Sequence, residues 1–407
     1  MNILYIHQYF ITPKEPGPTR SYWVARELIK SGHKVTMLTT SSTVKSNKDR
    51  GRVLIDGIDV IYLNIPYHGS MSVKSRLMAF LKFAYQSSLF VLKQKNIDLV
   101  IATSTPLTVG IPALLGKWFR RFPFIFEVRD LWPEVPIQMG GLQNKFAIKA
   151  ARLLEETIYV NATHIIALSP GMMDGVLSKG ISPSKVNMIP NMSKPDVFWP
   201  RPKNTELMEK LRLKEDTFKV IYFGALGLAN ALDYIVQAAE ILKYDQRIEF
   251  IFAGGGGVEE DLKQQCKDLQ LTNVRILGNF PMSTLSEIVN LADVSLVTFK
   301  NLPILATNSP NKLFDSLSAG KPIIVNSAGW TKSMVEEYQC GFYVHPEQPE
   351  DLVRSIITLL EDSELCARMG ERSRWLSEKK FDKSILCDQF VATVNSISDS
   401  DPQHATY

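Results

Sequence analysis

The sequence predicts an α/β protein made of two doubly wound parallel sheets. Apolar, strand-like segments alternate with helical stretches along most of the 407 residues, which is typical of parallel sheets covered by helices on both faces. A polar, proline-rich stretch at residues 189–202, IPNMSKPDVFWPRP, interrupts the alternation and predicts a linker. Because the chain is about two to three times as long as a typical domain, we expect two domains.

The first 190 residues contain six or seven strand segments separated by helical ones, which predicts an open, doubly wound sheet. A loop at residues 12–20, TPKEPGPTR, follows the first strand. Its Gly17 would let the backbone approach a ligand closely, and a simple turn is the alternative. The GxGxxG pattern of dinucleotide-binding folds is absent, which argues against a dehydrogenase. The strand segments are NILYI, KVTMLTT, DVIYLN, DLVIATS, FIFEVRD, HIIALS and VNMIPN.

A second alternating set follows the linker. Each of its strand segments precedes a glycine or polar loop and a helical stretch, so a second sheet of the same kind is predicted. Two such halves would leave a cleft where their ligand-facing strand ends meet. The chain is helical in pattern from Asp351 to about Asn395, and the tail SDSDPQHATY is predicted to be disordered. The strand segments are FKVIYFG, IEFIFAGG, VRILGN, ADVSLVTF and PIIVNS.

The segment SPNKLFDSLSAGKP, residues 309–322, combines several signals of an anion site. Ser309 can cap a helix whose apolar face includes Leu313. In a unit of strand, loop, helix and strand, the helix begins at the carboxyl end of the strands, where its free N–H groups and Lys312 favour a phosphate. Asp315, one turn further, suits ribose hydroxyls. The alternative is a well-capped helix with Asp315 in solvent.

Charge is divided unevenly between the two halves. Residues 1–190 carry 23 Lys and Arg against 12 Asp and Glu, whereas the remainder carries 23 against 30. The basic half indicates phosphate-bearing or anionic-membrane partners, with simple solvation as the alternative. The four cysteines have wide, unrelated spacings, which argues against a metal knuckle or disulfide framework and fits a reducing cytoplasm. The sequence predicts neither a signal peptide nor a membrane span.

Two basic segments with aromatic neighbours lie between Asp59 and Glu127, where Asp98 is the only acidic residue. Amphipathic basic helices of this kind can lie on anionic lipid. The alternative is that the aromatic rings face the core while the lysines face water. The segments span residues 74–95 and 117–122 and contain Phe80, Phe83, Tyr85, Phe90, Trp118, Phe119 and Phe122.

The alternation, the linker and SPNKLFDSLSAGKP together resemble the retaining glycosyltransferases of family 4, which have the GT-B architecture. The resemblance covers nearly the whole chain and implies two Rossmann-like domains that face a central cleft. It implies an N-terminal acceptor domain at residues 1–190, joined by the last helix at about 380–397. A linker at 191–202, a nucleotide-sugar-binding domain at 203–379 and a disordered tail at 398–407 complete the division.

The sequence departs from the family signature at several positions. The signature has two glutamates separated by seven residues, the second followed by AxxxGKP. Asp315 and SAGKP match its second half, whereas Thr307 stands at the first glutamate. The arginine and lysine that the family has after the first strand of its second domain fall on Ala225 and Asn230. Lys312 is the candidate to replace these missing cations.

EVRDLWPE, GLANALD and SPNKLFD resemble a branch of bacterial surface-polysaccharide enzymes that includes N-acetyl-L-fucosaminyltransferases of O-antigen or capsule synthesis. This resemblance implies a UDP-linked sugar donor, an undecaprenyl-diphosphate-linked acceptor and a peripheral position on the inner face of the cytoplasmic membrane, with no nucleic-acid partner. Among the donor-binding residues given next, the alternative for the glycines after the strand IEFIFA is a flexible turn, and the alternative for Phe280 is a position in the core. The implied donor-binding residues are Gly17, Gly224, Asn230, Gly254, Gly255, Asn279, Phe280, Thr307, Ser309, Asn311, Lys312, Leu313 and Asp315.

For catalysis, the place of Lys312 in the first helical turn indicates that it stabilises the leaving diphosphate together with the helix N–H groups, with no metal and no cofactor. Asp130 or Glu127 would orient or deprotonate the acceptor hydroxyl, and Arg129 would hold the acceptor phosphate. A structural ion pair between Arg129 and Asp130 is the alternative. The sequence DSD at residues 399–401 falls in the predicted tail, so no metal site is predicted. Two other functions stay open: a nucleotide-sugar 2-epimerase of the same architecture, and a nonenzymatic regulator that binds a nucleotide sugar.

Overall fold

The computed structural model describes residues 1–15, 17–40, 51–66, 71 and 73–399. Contacts divide the chain into two compact units: Met1–Thr12, Thr19–Pro190 and Ser384–Tyr407 form the first, and Pro13–Pro18 and Asn191–Lys383 form the second. Each unit has a parallel sheet with helical connections between its strands, which confirms the predicted α/β class. The predicted tail is helical as far as residue 399, and residues 400–407 lie outside the described part of the chain.

The strands of the first unit follow the predicted segments and add one. Within its described residues the sheet has eight strands in the order β3-β4-β2-β1-β5-β6-β7-β8, all parallel except β3. β3 was not predicted, although the Asp56-Gly57 dipeptide, with φ of 49° and 88°, is a typical hairpin turn. The strands are β1 (Asn2–Ile6), β2 (Lys34–Thr40), β3 (Arg52–Ile55), β4 (Ile58–Leu63), β5 (Leu99–Thr103), β6 (Phe124–Val128), β7 (His164–Ala167) and β8 (Val186–Met188).

Helices connect most of the parallel strands of this sheet. β5 and β6 are buried along their whole length, as expected for strands with helices on both faces. No helix in the described ranges is long and apolar enough to span a bilayer. The helices are α1 (Arg20–Lys30), α2 (Val73–Lys93), α3 (Gly110–Leu115), α4 (Glu134–Gln138), α5 (Lys145–Asn161) and α6 (Pro170–Leu177), with a π-helical turn at Gly116–Arg120.

The second unit has a six-stranded sheet among its described residues, and every pairing is parallel. Its order is β11-β10-β9-β12-β13-β14: the strands after β9 are added toward one edge of the sheet as far as β11, and those from β12 onward are added on the other side of β9. Ligands of open α/β sheets bind at the carboxyl ends of strands beside such a reversal of strand order. The strands are β9 (Phe218–Phe223), β10 (Ile248–Ala253), β11 (Val274–Gly278), β12 (Val294–Val297), β13 (Ile323–Val325) and β14 (Gly341–Tyr343).

Two apolar clusters fill the space between this sheet and its helices. One includes Val220 and Phe250, and the other includes Ile221 and Ile251, because successive residues of β9 and β10 point to opposite faces. The helices are α7 (Thr205–Lys210), α8 (Leu232–Ile241), α9 (Glu259–Asp268), α10 (Met282–Leu291), α11 (Asn311–Ser318), α12 (Trp330–Glu337), α13 (Pro349–Glu361) and α14 (Ser363–Lys379), and the chain continues into α15 (Lys383–Asp399).

A buried ion pair joins distant parts of the first unit. Arg20 Nε lies 2.7 Å from Glu127 Oε1, and both side chains are almost fully shielded from solvent. The same guanidinium donates to the carbonyls of Pro190 and Ile189, the latter at 2.9 Å. Thr103 Oγ1 donates to the second carboxylate oxygen of Glu127 at 2.6 Å. The interaction therefore ties α1 to β5, β6 and the end of the first unit.

Removing either charge of this pair should destabilise the first unit. We expect Glu127→Gln or Arg20→Met to lower its free energy of unfolding by about 3–5 kcal/mol, because a buried charge loses its partner. Arg152→Met breaks the exposed pair with Glu134 and should cost less than about 1 kcal/mol. Hydrogen exchange of peptides from β5 and β6 measures the effect. Equal protection in the Glu127 and Arg152 variants would contradict it.

Candidate functional site

A cavity of about 440 Å³ opens in the second unit, where the carboxyl ends of β9, β10 and β11 meet the start of α11. Its walls combine apolar side chains with a lysine, a carboxylate and two amides. Nine of the donor-binding residues predicted from the sequence line it, which is the grouping expected for parallel strands whose loops share one edge. The lining residues are Gly17, Pro18, Phe198, Phe223, Gly224, Ala225, Ala253, Gly254, Gly255, Asn279, Phe280, Met282, Leu285, Asn311, Lys312 and Asp315.

The glycines after β10 are required by close packing of the backbone. A Cβ atom on Gly254 would lie 1.8 Å from the carbonyl oxygen of Gly224, and one on Gly255 would lie 2.3 Å from the side-chain nitrogen of Asn279. The distance at Gly254 excludes a side chain because the contacted atom belongs to the backbone, whereas at Gly255 the Asn279 amide would have to move. The loops after β9 and β10 thus contact each other directly, and flexibility alone does not explain the glycine run.

Lys312 occupies the first turn of α11 and extends to the end of β9. Its ammonium contacts the hydroxyl of Tyr222, lies 3.8 Å from the centroid of that ring and lies 3.4 Å from Asn230 Oδ1. No carboxylate of the described residues lies within ion-pair distance of it. Burial without a counter-charge lowers the pKa of Lys312 to about 7. An anion bound in the cavity would therefore stabilise the protonated form of Lys312.

Asp315 lies one turn further along α11 and forms an ion pair with Lys194. Lys194 Nζ is 2.7 Å from Asp315 Oδ1, and both side chains are largely buried. Burial raises the pKa of Asp315, and the charge and hydrogen bond of Lys194 oppose that rise. The sequence predicted that Asp315 suits ribose hydroxyls beside the anion, with a solvent-exposed carboxylate as the alternative. The structure instead shows a paired carboxylate that still borders the cavity.

The predicted cap of this helix is wrong. α11 begins at Asn311, its N-cap residue is Pro310, and no side chain caps it. Ser309 Oγ accepts from the backbone N–H of Asn191 at 3.2 Å, and Ser309 O accepts from the Asn191 amide at 2.5 Å. Because Ser309 is held by the segment after the first unit, its hydroxyl does not reach the helix N–H groups.

Three more predicted donor residues lie away from the cavity wall. Leu313 is fully buried in the core, so its side chain has no access to a ligand. Thr307 ends a 3₁₀ turn and donates to Ile304 O at 2.7 Å. The side chain of Asn230 lies near Lys312 instead of lining the cavity: its Oδ1 is 3.4 Å from Lys312 Nζ, and its amide donates to Ala225 O at 3.0 Å. Gly17, which we assigned to the first domain, belongs to the second unit.

Glu127 is the clearest correction among the predicted catalytic residues. Its carboxylate has no exposed surface and is paired with Arg20. Burial would raise its pKa, but the charges of Arg20 and Arg129 and the hydrogen bonds of Thr103 and Arg20 outweigh burial and lower it. A shielded, ionised and fully bonded carboxylate cannot deprotonate an acceptor. Its role is to hold the strand ends together.

Arg129 and Asp130 follow β6 at the carboxyl edge of the first sheet. They do not form the ion pair that was the alternative. Arg129 Nη1 lies 3.2 Å from His7 Nε2, and the backbone N–H of Arg129 donates to Ser104 Oγ at 3.0 Å. Asp130 has no ion-pair partner in the described chain, and burial raises its pKa to about 6 against the opposing charge of Arg129. A carboxylate with this pKa is suited to hold or accept a proton near neutral pH.

His7 was not predicted to take part in the site. It is buried beside Arg129, and burial followed by the Arg129 charge keeps its pKa well below the usual range. Since arginine only donates, His7 Nε2 accepts and Nδ1–H donates to Ser21 Oγ at 2.7 Å. The sequence signal that could have identified His7 was its position directly after β1, at the carboxyl end of a parallel strand. Lys194 and Tyr222 were also missed, one inside the linker and one inside a buried strand.

Two family models match the chain. Residues 203–375 match the glycosyl transferases group 1, and residues 17–192 match the glycosyl transferase 4-like domain. Residues 203–375 thus match the group 1 family, and the two matches together identify the chain as a glycosyltransferase of the GT-B type. The matches confirm the resemblance to glycosyltransferases. Among its described residues, this glycosyltransferase contains no group of three or more His, Cys, Asp or Glu that could hold a metal ion.

Similar proteins agree with the family and the fold. The Probable glycosyltransferase WbjE of Pseudomonas aeruginosa is 22% identical over 334 residues, which are 80% of this chain and 82% of that protein. The structure of Anabaena Alr3699/HepE in complex with UDP-glucose superimposes with a TM-score of 0.74 at 17% identity, covering 97% of this chain and 100% of that one. WaaG, a glycosyltransferase involved in lipopolysaccharide biosynthesis, has a TM-score of 0.67 at 14% identity, with 96% and 99% covered. The GT-B fold is thereby confirmed.

The Lys312 amine should titrate near neutral pH. Because its pKa is lowered to about 7, whereas an ordinary lysine has a pKa near 10.4, its acetylation rate should level off at a much lower pH than the rates of exposed lysines. Competitive labelling followed by peptide mass spectrometry measures the midpoint, with exposed Lys263 as the internal control. A common midpoint for both lysines would contradict the assignment.

Proposed function

We propose that this glycosyltransferase is a retaining enzyme that transfers a sugar from a UDP-sugar to a lipid-linked oligosaccharide in the synthesis of a bacterial surface polysaccharide. The observation that carries the proposal is the cavity at the strand ends, where Lys312 and Asp315 lie on successive turns of α11. A lysine is suited to bind a phosphate, and a carboxylate is suited to accept hydrogen bonds from ribose hydroxyls. HepE, of the same fold, is described in complex with UDP and with UDP-glucose.

The second unit offers the groups that a departing diphosphate needs. The helix N-terminus carries free N–H groups and a partial positive charge. Lys312 adds an ammonium that has no carboxylate partner among the described residues. We propose that these groups stabilise the negative charge that develops on the diphosphate, in place of a metal ion. Gly224, Gly254 and Gly255 let the backbone come close to the phosphates, and Asn279 and Phe280 border the base.

The first unit offers groups for the acceptor. Arg129 is held by His7 and Ser104, and no carboxylate of the described residues pairs with it. It is suited to bind the acceptor phosphate. Asp130, with its raised pKa, is suited to orient the acceptor hydroxyl. In the proposed front-side reaction, the bond between the anomeric carbon and the phosphate oxygen breaks on the face where the acceptor oxygen bonds. The acceptor proton passes to the leaving phosphate, and UDP is released.

One assay separates the proposed transfer from the two alternatives. Purified protein is incubated with UDP- and dTDP-sugars, UDP-N-acetyl-L-fucosamine first, with and without an undecaprenyl-diphosphate-linked acceptor. A transferase releases UDP only with the acceptor and lengthens it with retained anomeric configuration. An epimerase alters the sugar without an acceptor, and a regulator binds the nucleotide sugar without turnover. Either of these results would overturn the proposal.

Replacing Asp315 should weaken UDP binding. We expect Asp315→Asn to cost about 1.5–3 kcal/mol for each ribose hydrogen bond lost, because bonds to a charged acceptor are the strong ones. Calorimetry with UDP measures the loss. Asp268→Asn, which changes an exposed carboxylate of α9, is the matched control. Thermal unfolding of both variants checks for damage, since Lys194 loses its partner. Unchanged affinity in a folded Asp315 variant would remove this residue from the site.

Chelation should leave turnover intact. In this proposal, helix N–H groups and Lys312 neutralise the diphosphate, so EDTA at millimolar concentration is expected to have no effect. The initial rate of UDP release with and without EDTA tests this. Loss of activity that magnesium or manganese restores would show that a metal ion carries the phosphate charge.

We also propose that the protein lies on the cytoplasmic face of the membrane through its first unit. Exposed apolar side chains form a stripe on α2, and Trp118 and Phe119 add two exposed rings beside Lys117. α2 carries Lys and Arg but no acidic residue. Phe83 and Phe122 are buried and belong to the core, so part of the predicted aromatic set is excluded. The α2 stripe consists of Leu77, Met78, Leu81, Tyr85 and Leu89.

Anionic vesicles should bind the protein in a salt-dependent way. Each engaged Lys or Arg contributes about 1 kcal/mol, and salt screens this attraction. Trp118→Ser with Phe119→Ser should reduce co-sedimentation at low salt. Tyr244→Ser, which removes a ring that is 83% exposed on the second unit, is the control. Equal binding to neutral and anionic vesicles, or none at low salt, would contradict the proposal.

A further inference from the structure

Tyr222 supports the only cation that the α11 turn offers to the cavity. It lies in β9 and is nearly fully buried, and its hydroxyl contacts the ammonium of Lys312. The same ammonium lies over the ring, 3.8 Å from its centroid. A hydroxyl and an aromatic face both attract a cation. One residue therefore holds Lys312 in two ways.

The hydrogen bonds around Ala225 fix which atoms face the ammonium. Tyr222 O–H donates to Ala225 O at 2.8 Å, so its lone pairs are left to accept from Lys312. The Asn230 amide N–H donates to the same carbonyl at 3.0 Å, which turns its oxygen toward Lys312 at 3.4 Å. The carbonyl thus orients two acceptors toward one ammonium.

Two of these positions lack the cations expected from the family resemblance. Ala225 and Asn230 stand where an arginine and a lysine were expected after the first strand of this unit. The structure brings Lys312 close to the same loop, since a Cβ on Gly224 would lie 3.7 Å from the Lys312 Cε. Lys312 lines the cavity together with Gly224 and Ala225. Lys312 therefore occupies a different position in the sequence from the expected arginine and lysine, but it lies beside the loop in which they were expected.

We propose that Tyr222 is a positioning residue that holds the Lys312 ammonium where the diphosphate of the donor binds. This inference rests on the proposed function. A lysine has a flexible stem whose freedom is lost when it binds a phosphate. Contacts that hold the ammonium beforehand reduce that loss. Tyr222 therefore sets the affinity for the diphosphate without contributing to recognition of the base or the ribose.

A series of ligands tests this division. Calorimetry measures the binding of uridine, UMP and UDP to the wild-type protein, Tyr222→Phe, Lys312→Met and the double variant. Tyr222→Phe keeps the ring and removes the hydroxyl. We expect it to weaken UDP binding by about 3- to 30-fold, the range set by freeing one lysine side chain, and to leave uridine binding within about twofold. Tyr234→Phe is the control, because this buried hydroxyl bonds His345 O and Gln348 O away from the cavity.

The double variant separates positioning from a structural role. If Tyr222 acts through Lys312, its substitution has no further effect on UDP binding once Lys312 is methionine. Three results would overturn the inference: unchanged UDP affinity in Tyr222→Phe, an equal loss for uridine and UDP, or a loss that persists in the Lys312→Met background. Absence of UDP binding by the wild-type protein would instead overturn the proposed function on which the inference rests.

Discussion

The Lys194–Asp315 ion pair holds helix α11 against the segment that follows the first unit, and the geometry of the cavity depends on it. Around this pair, Lys194 N–H donates to Ser318 Oγ at 2.9 Å and Ser193 Oγ donates to Phe314 O at 3.1 Å. Breaking a buried pair leaves a desolvated charge without compensation. The segment first interpreted as a linker is therefore part of the site, because it fixes the direction in which Asp315 and Lys312 project.

Each unit handles buried charge differently at its strand ends. In the first, Glu127 receives a guanidinium and a hydroxyl, so its charge is fully compensated and chemically inert. In the second, Lys312 receives only neutral acceptors and aromatic rings. Charge that is compensated stabilises a fold, whereas charge that is held but not compensated is available to a ligand. The same low-polarity environment thus produces a structural residue in one unit and a binding residue in the other.

The sequence was sufficient for the order of the strands along the chain, except β3 and β14, which were not predicted, and for the segments that meet at one edge. The periodicity of apolar residues and the continuous apolar runs reveal these features, because both patterns are set by residues that are neighbours in the sequence. It was insufficient for Glu127, whose partner Arg20 is 107 residues away, and for Ser309, whose hydroxyl bonds Asn191 across 118 residues. Such contacts arise from tertiary packing. Tyr222 could not be distinguished from the core residues beside it, because only its contact with Lys312 gives it a separate role.

The contact between the loops after β9 and β10 limits how this cavity can change during evolution. With Gly224 O where a Cβ of Gly254 would stand, no substitution at Gly254 is possible unless the backbone is rebuilt. Variation in ligand preference must then come from side chains that border the cavity without such contacts, such as Met282 and Leu285. The main chain therefore constrains the part of the cavity formed by these loops, whereas side chains such as Met282 and Leu285 can change without rebuilding the backbone.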